Sequence, residues 1–91
     1  MEKHLEIPIK HVSVVIPFYN EQDNVVPLLT EVSNALAGVE HEIVAVDDGS
    51  RDSTLAVLQS LKAQLPNLRL VRHQANFGQS AAIASGIRAA G

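Results

Sequence analysis

No cysteine occurs among the 91 residues, which excludes disulfides and thiolate metal sites and is compatible with a reducing cytoplasm. Long apolar runs are also missing. Stretches such as Val14 to Phe18 fall far short of the roughly 20 residues that span a bilayer, and the N-terminus lacks a signal-peptide pattern. The basic residues Lys3, Lys10, Arg51, Lys62, Arg69, Arg72 and Arg88 are scattered. A phosphate-backbone binder would gather them into a stripe or patch, so nucleic acid is not an expected partner. Neither Gly-x-Gly-x-x-Gly nor Gly-x-x-x-x-Gly-Lys-Ser/Thr is present, which removes the dinucleotide fingerprint and the P-loop. The histidines His4, His11, His41 and His73 show no ligand spacing and read as surface residues, and no complete metal site can be assembled from the chain. Internal repeats and low-complexity segments are absent.

What is present describes a soluble, globular α/β domain: 46% of residues are hydrophobic, 19% are charged and the formal net charge is -3. At this length an α/β half-sheet buries little, so the chain reads as a piece of something larger. After a polar leader, residues 1–10, three βα units follow one another. Strand one is expected over Val12 to Pro17, with the nearly continuous apolar character of a strand buried on both faces of a parallel sheet. Helix one is expected from Asn24 to Ala37, where Val25, Leu28, Leu29, Val32 and Leu36 recur at helical spacing. Asn24 is its expected N-cap, Pro27 falls in the tolerant first turn and Gly38 closes it. Strand two covers Glu42 to Asp47, and helix two covers Asp52 to Gln64, with Leu55, Leu58, Leu61 and Leu65 on one side and Pro66 as its stop. Strand three covers Leu68 to Arg72. A loop, residues 73–78, leads into helix three, Gln79 to Ala90, which carries Ile83 and Ile87 one turn apart. Short links between alternating strands and helices imply parallel strands in the order three-two-one, joined by right-handed crossovers, with helices on both faces.

The residues that stand out lie where the strands end. Strand two runs into Asp47-Asp48-Gly49-Ser50, and ligands in open α/β sheets sit at the carboxyl ends of the strands. The tip of strand one carries Pro17-Phe18-Tyr19-Asn20-Glu21, and strand three ends at Arg72 before the Asn76-Phe77-Gly78 loop. Together these tips gather an aromatic ring, carboxylates, an arginine and helix N-termini, a set that suits a nucleotide. Each residue also has a structural reading. Tyr19 could pack on helix one, and Glu21 could be a helix-start charge. Arg72 could be a solvated cation, Asn76 and Gly78 could be loop chemistry, and Ser50 and Asp52 could be N-caps.

Four pieces in this order and spacing carry a family resemblance: Ser13-Val14-Val15-Ile16-Pro17 with Phe18-Tyr19-Asn20-Glu21, Val46-Asp47-Asp48-Gly49-Ser50, Asp52-Ser53-Thr54, and Asn76-Phe77-Gly78-Gln79. Over Val12 to Gly91 the chain resembles the start of the family-two glycosyltransferases of GT-A fold, a Rossmann-like fold, and within them the polyprenyl-phosphate branch that includes the dolichol-phosphate mannosyltransferases. The resemblance implies that Pro17, Tyr19 and Glu21 line the pocket for the base and ribose of a sugar nucleotide. It also implies that Asp48 contacts the base beside Asp47, that Arg72 helps to hold the nucleotide, and that Asn76 and Gly78 lie near the donor.

On the same resemblance, residues 11–91 are the N-terminal part of a catalytic domain, ending before the strand that bears the family's metal-binding Asp-x-Asp motif. The implied parent enzyme is inverting and transfers a sugar from a nucleotide-sugar donor to a polyprenyl phosphate. Magnesium or manganese would act there as a Lewis acid on the leaving diphosphate. This segment would hold neither metal nor catalytic base and would be inactive alone. The implied location is the cytoplasm, or the cytoplasmic face of a membrane reached through segments beyond residue 91. Two other classes compete. A receiver domain would need its acidic pair after the first strand and an aspartate later in the chain, and none follows Asp52. A non-catalytic nucleotide-binding or interaction module on the same half-fold stays open.

Overall fold

The structure is a computed structural model that describes residues 11–91; the polar leader, residues 1–10, lies outside the described residues. Three strands alternate with three helices: β1 (Val12–Phe18), α1 (Val25–Ala35), β2 (His41–Asp48), α2 (Thr54–Lys62), β3 (Leu68–His73) and α3 (Gln79–Ala89). All strand pairs are parallel, and β2 lies in the middle of the order β1-β2-β3. The central position explains its sequence. Ile43 through Asp48 are buried without interruption, as expected of a strand covered on both faces. Pro17 is tolerated in β1 because that strand is at the edge of this sheet.

Alternation along β2 sorts the core into two layers. Ile43 and Ala45 face α1 and α2, in a cluster with Phe18, Val25, Leu29, Leu58 and Leu68. Val44 and Val46 face α3 and pack with Ala82. Leu28, Val32, Leu61 and Leu65 complete the first layer, so the helical periodicity of α1 and most of that of α2 serves the core. Helix α3 differs from expectation. Ile83 and Ile87 are exposed, and the residues pressed on the sheet are Ala82 and Gly86. The reason is close approach: a Cβ at Gly86 would sit 2.3 Å from Val15 Cγ1 and 3.1 Å from Val46 Cγ2. Only small residues let this helix lie so near the strands.

The element ends shift in a way that bears on the site. Helix α1 stops at Ala35, α2 occupies only Thr54–Lys62, and α3 ends at Ala89. Neither Asn24 nor Ser53, the N-cap residues of α1 and α2, makes a side-chain cap hydrogen bond. Each strand instead runs one residue further than its pattern suggests, to Phe18, Asp48 and His73. Both carboxylates of the acidic pair therefore belong to the strand and point to opposite faces.

Candidate functional site

The loops that leave β1 and β2 are stitched together side chain to backbone. The Asn20 N–H donates to Ser50 Oγ at 2.9 Å, and the Arg51 N–H donates back to Asn20 Oδ1 at 2.8 Å. The Ser53 N–H donates to Gln22 Oε1 at 2.9 Å, and the Glu21 N–H donates to Thr54 Oγ1 at 2.9 Å. Asn20 adopts a left-handed conformation, with φ 50°, which asparagine tolerates better than most residues. Ser50 thus serves the neighbouring loop and does not cap α2. Asp52 does satisfy the start of α2: its Oδ1 accepts from the Thr54 N–H and hydroxyl. The Thr54 hydroxyl above all holds the Asp52 carboxyl below its ordinary pKa.

Asp48 organises the third loop. Its Oδ1 accepts from His73 Nδ1 at 2.8 Å and from the Phe77 N–H at 3.0 Å. Its Oδ2 accepts from the Gly78 N–H at 2.9 Å and Asn76 Nδ2 at 3.2 Å. The carboxylate is 3% exposed, so a buried charge is offset by four donors. Gly49 lets the loop come this close. Its φ is +72°, and a Cβ there would lie 2.3 Å from the Ala75 carbonyl carbon and 2.5 Å from the Asn76 nitrogen.

Burial pushes the Asp48 carboxyl up, but hydrogen bonds from the Phe77 amide, the His73 ring and the Gly78 amide outweigh it and hold its pKa below the ordinary value. A carboxyl depressed in the folded state contributes stability that is complete above its unfolded pKa and is lost as pH falls through the folded one. The Asp48 titration read at the Phe77 and Gly78 amides should therefore have its midpoint below about 4, the ordinary aspartate value. Proton–nitrogen spectra across pH 2 to 7 check this, and a midpoint at or above about 4 would contradict it.

A cavity of about 320 Å³ opens at the carboxyl edge of the sheet, lined by Pro17, Phe18, Tyr19, Glu21, Asp48 and Gln79. Four of the residues singled out from sequence thus meet there: Pro17, Tyr19, Glu21 and Asp48. Tyr19 is 42% exposed, so its ring is available at the cavity and is not committed to a helix. Asn76 and Gly78 stand behind Asp48 as its donors. Asp47 and Arg72 lie elsewhere. They are register partners on the face of α1 and α2, where Arg72 is exposed and Asp47 is 2% exposed with no hydrogen-bond partner for Oδ1 among the described residues.

His73 is a correction to the surface reading of the histidines. Its side chain is 13% exposed and bridges Asp48 and Ser85. Spacing gave no hint of this, but its place did: His73 and Asp48 end neighbouring strands in register. His11 does read as a surface residue, beside Glu42; His4 lies outside the described residues. Among the described residues no group of three or more His, Asp or Glu side chains converges to hold a metal ion. The acidic pair does not fit one, because Asp47 and Asp48 point to opposite faces and Asp48 already accepts four hydrogen bonds. No helix is long and apolar enough to cross a membrane, again among the described residues.

With this geometry in hand, comparisons with known proteins give the family. The dolichol-phosphate mannosyltransferase of Pyrococcus furiosus is 40% identical over 79 residues, covering 87% of this chain and 22% of that protein. An undecaprenyl-phosphate 4-deoxy-4-formamido-L-arabinose transferase of Pseudomonas syringae is 43% identical over 83 residues, covering 87% of this chain and 24% of that protein. The chain therefore spans about a quarter of the length of these curated relatives. Among solved structures, the mannosyltransferase PcManGT from Pyrobaculum calidifontis, in complex with GDP-Man and Mn2+, matches with a TM-score of 0.68 and 28% identity, over 88% of this chain and 24% of that one. The open parallel sheet with helices on both faces is that of a GT-A glycosyltransferase. The family model for glycosyl transferase family 2 matches residues 13–91, and the chain belongs to that family.

Proposed function

We propose that residues 11–91 form the donor-binding part of an inverting glycosyltransferase that takes a sugar from a nucleotide-sugar and passes it to a polyprenyl phosphate. The observation that carries this reading is the cavity at the strand tips, where Pro17, Tyr19, Glu21 and Asp48 meet. Its volume of about 320 Å³ is at the small end for ligand pockets, which suits a nucleoside portion better than a whole sugar nucleotide. Tyr19 offers a ring face and Glu21 an acceptor-only carboxylate for ribose hydroxyls or base N–H groups. Asp48 acts in this reading as the floor of the pocket, with Asn76 and Gly78 fixing it. On the adjoining face Asp47 supplies an acceptor, its Oδ1, that has no partner among the described residues, and Arg72 supplies an exposed guanidinium.

The acceptor class rests on the names of the relatives, which act on dolichol and undecaprenyl phosphates. A lipid phosphate is already an anionic nucleophile, so its attack on the anomeric carbon needs no strong base. The neighbouring mannosyltransferase is seen with Mn2+, and a longer enzyme of this kind would use a divalent metal. Among the described residues no three carboxylate or imidazole side chains converge to hold it. The whole enzyme would work at a cytoplasmic membrane face, where its lipid acceptor lies.

Titration of the isotope-labelled chain with UDP and with GDP tests the donor site. Shifts are expected at Phe18, Tyr19, Glu21 and Gln79, with weak affinity. If either nucleotide instead moves Val12, His41 and Leu68 at the opposite sheet edge, or neither moves anything, the donor-site assignment is wrong.

A further inference from the structure

The register of β2 and β3 brings Asp48 and His73 side by side on the face covered by α3. His73 Nδ1 lies 2.8 Å from Asp48 Oδ1, and its Nε2 lies 2.7 Å from Ser85 Oγ on α3. Above the aspartate range a carboxylate has no proton to give, so Nδ1 carries the hydrogen. Arg88 Nη2 donates to Ser85 Oγ at 3.2 Å, which leaves the serine hydrogen free to point at Nε2. With the ring neutral, each proton on the line then has one place: the Ser85 hydroxyl donates to His73, and His73 donates to Asp48. The imidazole is also held edge-on to Phe77, with ring centroids 5.5 Å apart at 80°.

Hydroxyl, imidazole and carboxylate in this order resemble a nucleophilic triad, but the surroundings do not. Ser85 sits inside α3 (Gln79–Ala89), where backbone N–H groups are spent on the helix ladder and cannot stabilise an oxyanion. The line ends in a different place. Asp48, at its far end, binds the Phe77 and Gly78 amides and borders the cavity. We propose that Ser85 and His73 are positioning residues, which act through Asp48 to hold the Asn76–Gly78 loop and the floor of the donor pocket in place. The line itself is independent of what the pocket binds; its effect on affinity rests on the nucleotide reading above.

The test uses the intact chain, with long-range proton–nitrogen spectra of the His73 ring, amide spectra of the loop, and UDP or GDP titrations. His73 is expected as a single Nδ1–H tautomer. Ser85→Ala should leave Nδ1–H on Asp48 but shift the Nε2 resonance that loses its donor, move the Phe77 and Gly78 amides, and weaken nucleotide binding by roughly 2- to 10-fold, the loss of one hydrogen bond. Ser85→Thr keeps the hydroxyl and should restore all three readouts. If Ser85 mattered only to the helix, alanine, the better helix former, would leave the ring and the loop unmoved. A wild-type His73 in the Nε2–H form, or loop amides unmoved in Ser85→Ala, would overturn the proposal. An intact tautomer and a loop response to Ser85→Ala, without any response to nucleotide, would support the line and refute the nucleotide reading of the pocket.

Discussion

Replacing Asp48 by asparagine is expected to lower the unfolding free energy by about 3–6 kcal/mol and to release the Asn76–Gly78 loop. The carboxylate is an acceptor on both oxygens, and each oxygen takes two donors: His73 Nδ1 and the Phe77 N–H on one, Asn76 Nδ2 and the Gly78 N–H on the other. An amide group would turn one of those oxygens into a donor facing donors. Two hydrogen bonds to a charged acceptor are then lost, each contributing about 1.5–3 kcal/mol, and the orphaned N–H groups are left under a closed loop. A domain of this size has only about 5–14 kcal/mol of net stability, so the change removes a large fraction of it. Urea unfolding gives the free energy, and amide exchange at Phe77 and Gly78 reports the loop. Donor affinity should fall with the loop, because the floor of the cavity goes with it. An unchanged urea midpoint with protected Phe77 and Gly78 amides would show that Asp48 is a dispensable turn residue.

Gly49→Ala is expected to cost about 2–5 kcal/mol, from two separable causes. The left-handed conformation at φ +72° costs an L-residue about 1–2 kcal/mol. The added methyl would also meet the Ala75 carbonyl carbon at 2.3 Å and the Asn76 nitrogen at 2.5 Å. Those are backbone atoms and cannot swing aside, so relief requires moving the loop, at about 1–3 kcal/mol for an overpacked contact. Gly38→Ala separates the two. Gly38 has φ +85° with nothing within 4 Å of a Cβ, and its substitution should show the conformational cost alone. Thermal and urea melts of both variants make the comparison. Equal losses at the two positions would mean that the loop yields freely and that the close approach at Gly49 is unimportant.

Much of this protein is legible in its sequence, because the information is local. The near-continuous apolar runs from Val12 and from Ile43 mark buried parallel strands, and the spacing of Val25, Leu28, Leu29 and Val32 marks a helix with one apolar face. Alternation of the two types with short links leaves little choice but a parallel sheet with its strand tips along one edge. Pro17, Tyr19, Glu21 and Asp48 could be gathered on that edge because each follows directly from where its own strand ends. The observed cavity is lined by all four.

The tertiary structure decided what the residues do to one another, since those contacts join segments 12 to 33 positions apart. Asp47 and Asp48 look alike in sequence, yet one faces α1 and α2 and the other faces α3, and only the second finds four donors. His73 became its partner because β3 runs one residue past its apolar pattern and lies in register with β2. Ile83 and Ile87 are exposed because Gly86 sits so close to Val15 that small residues, not large ones, had to meet the sheet. Periodicity alone settles which residues can be buried, whereas register and the distance between packed elements settle which polar groups meet; those depend on the whole fold at once.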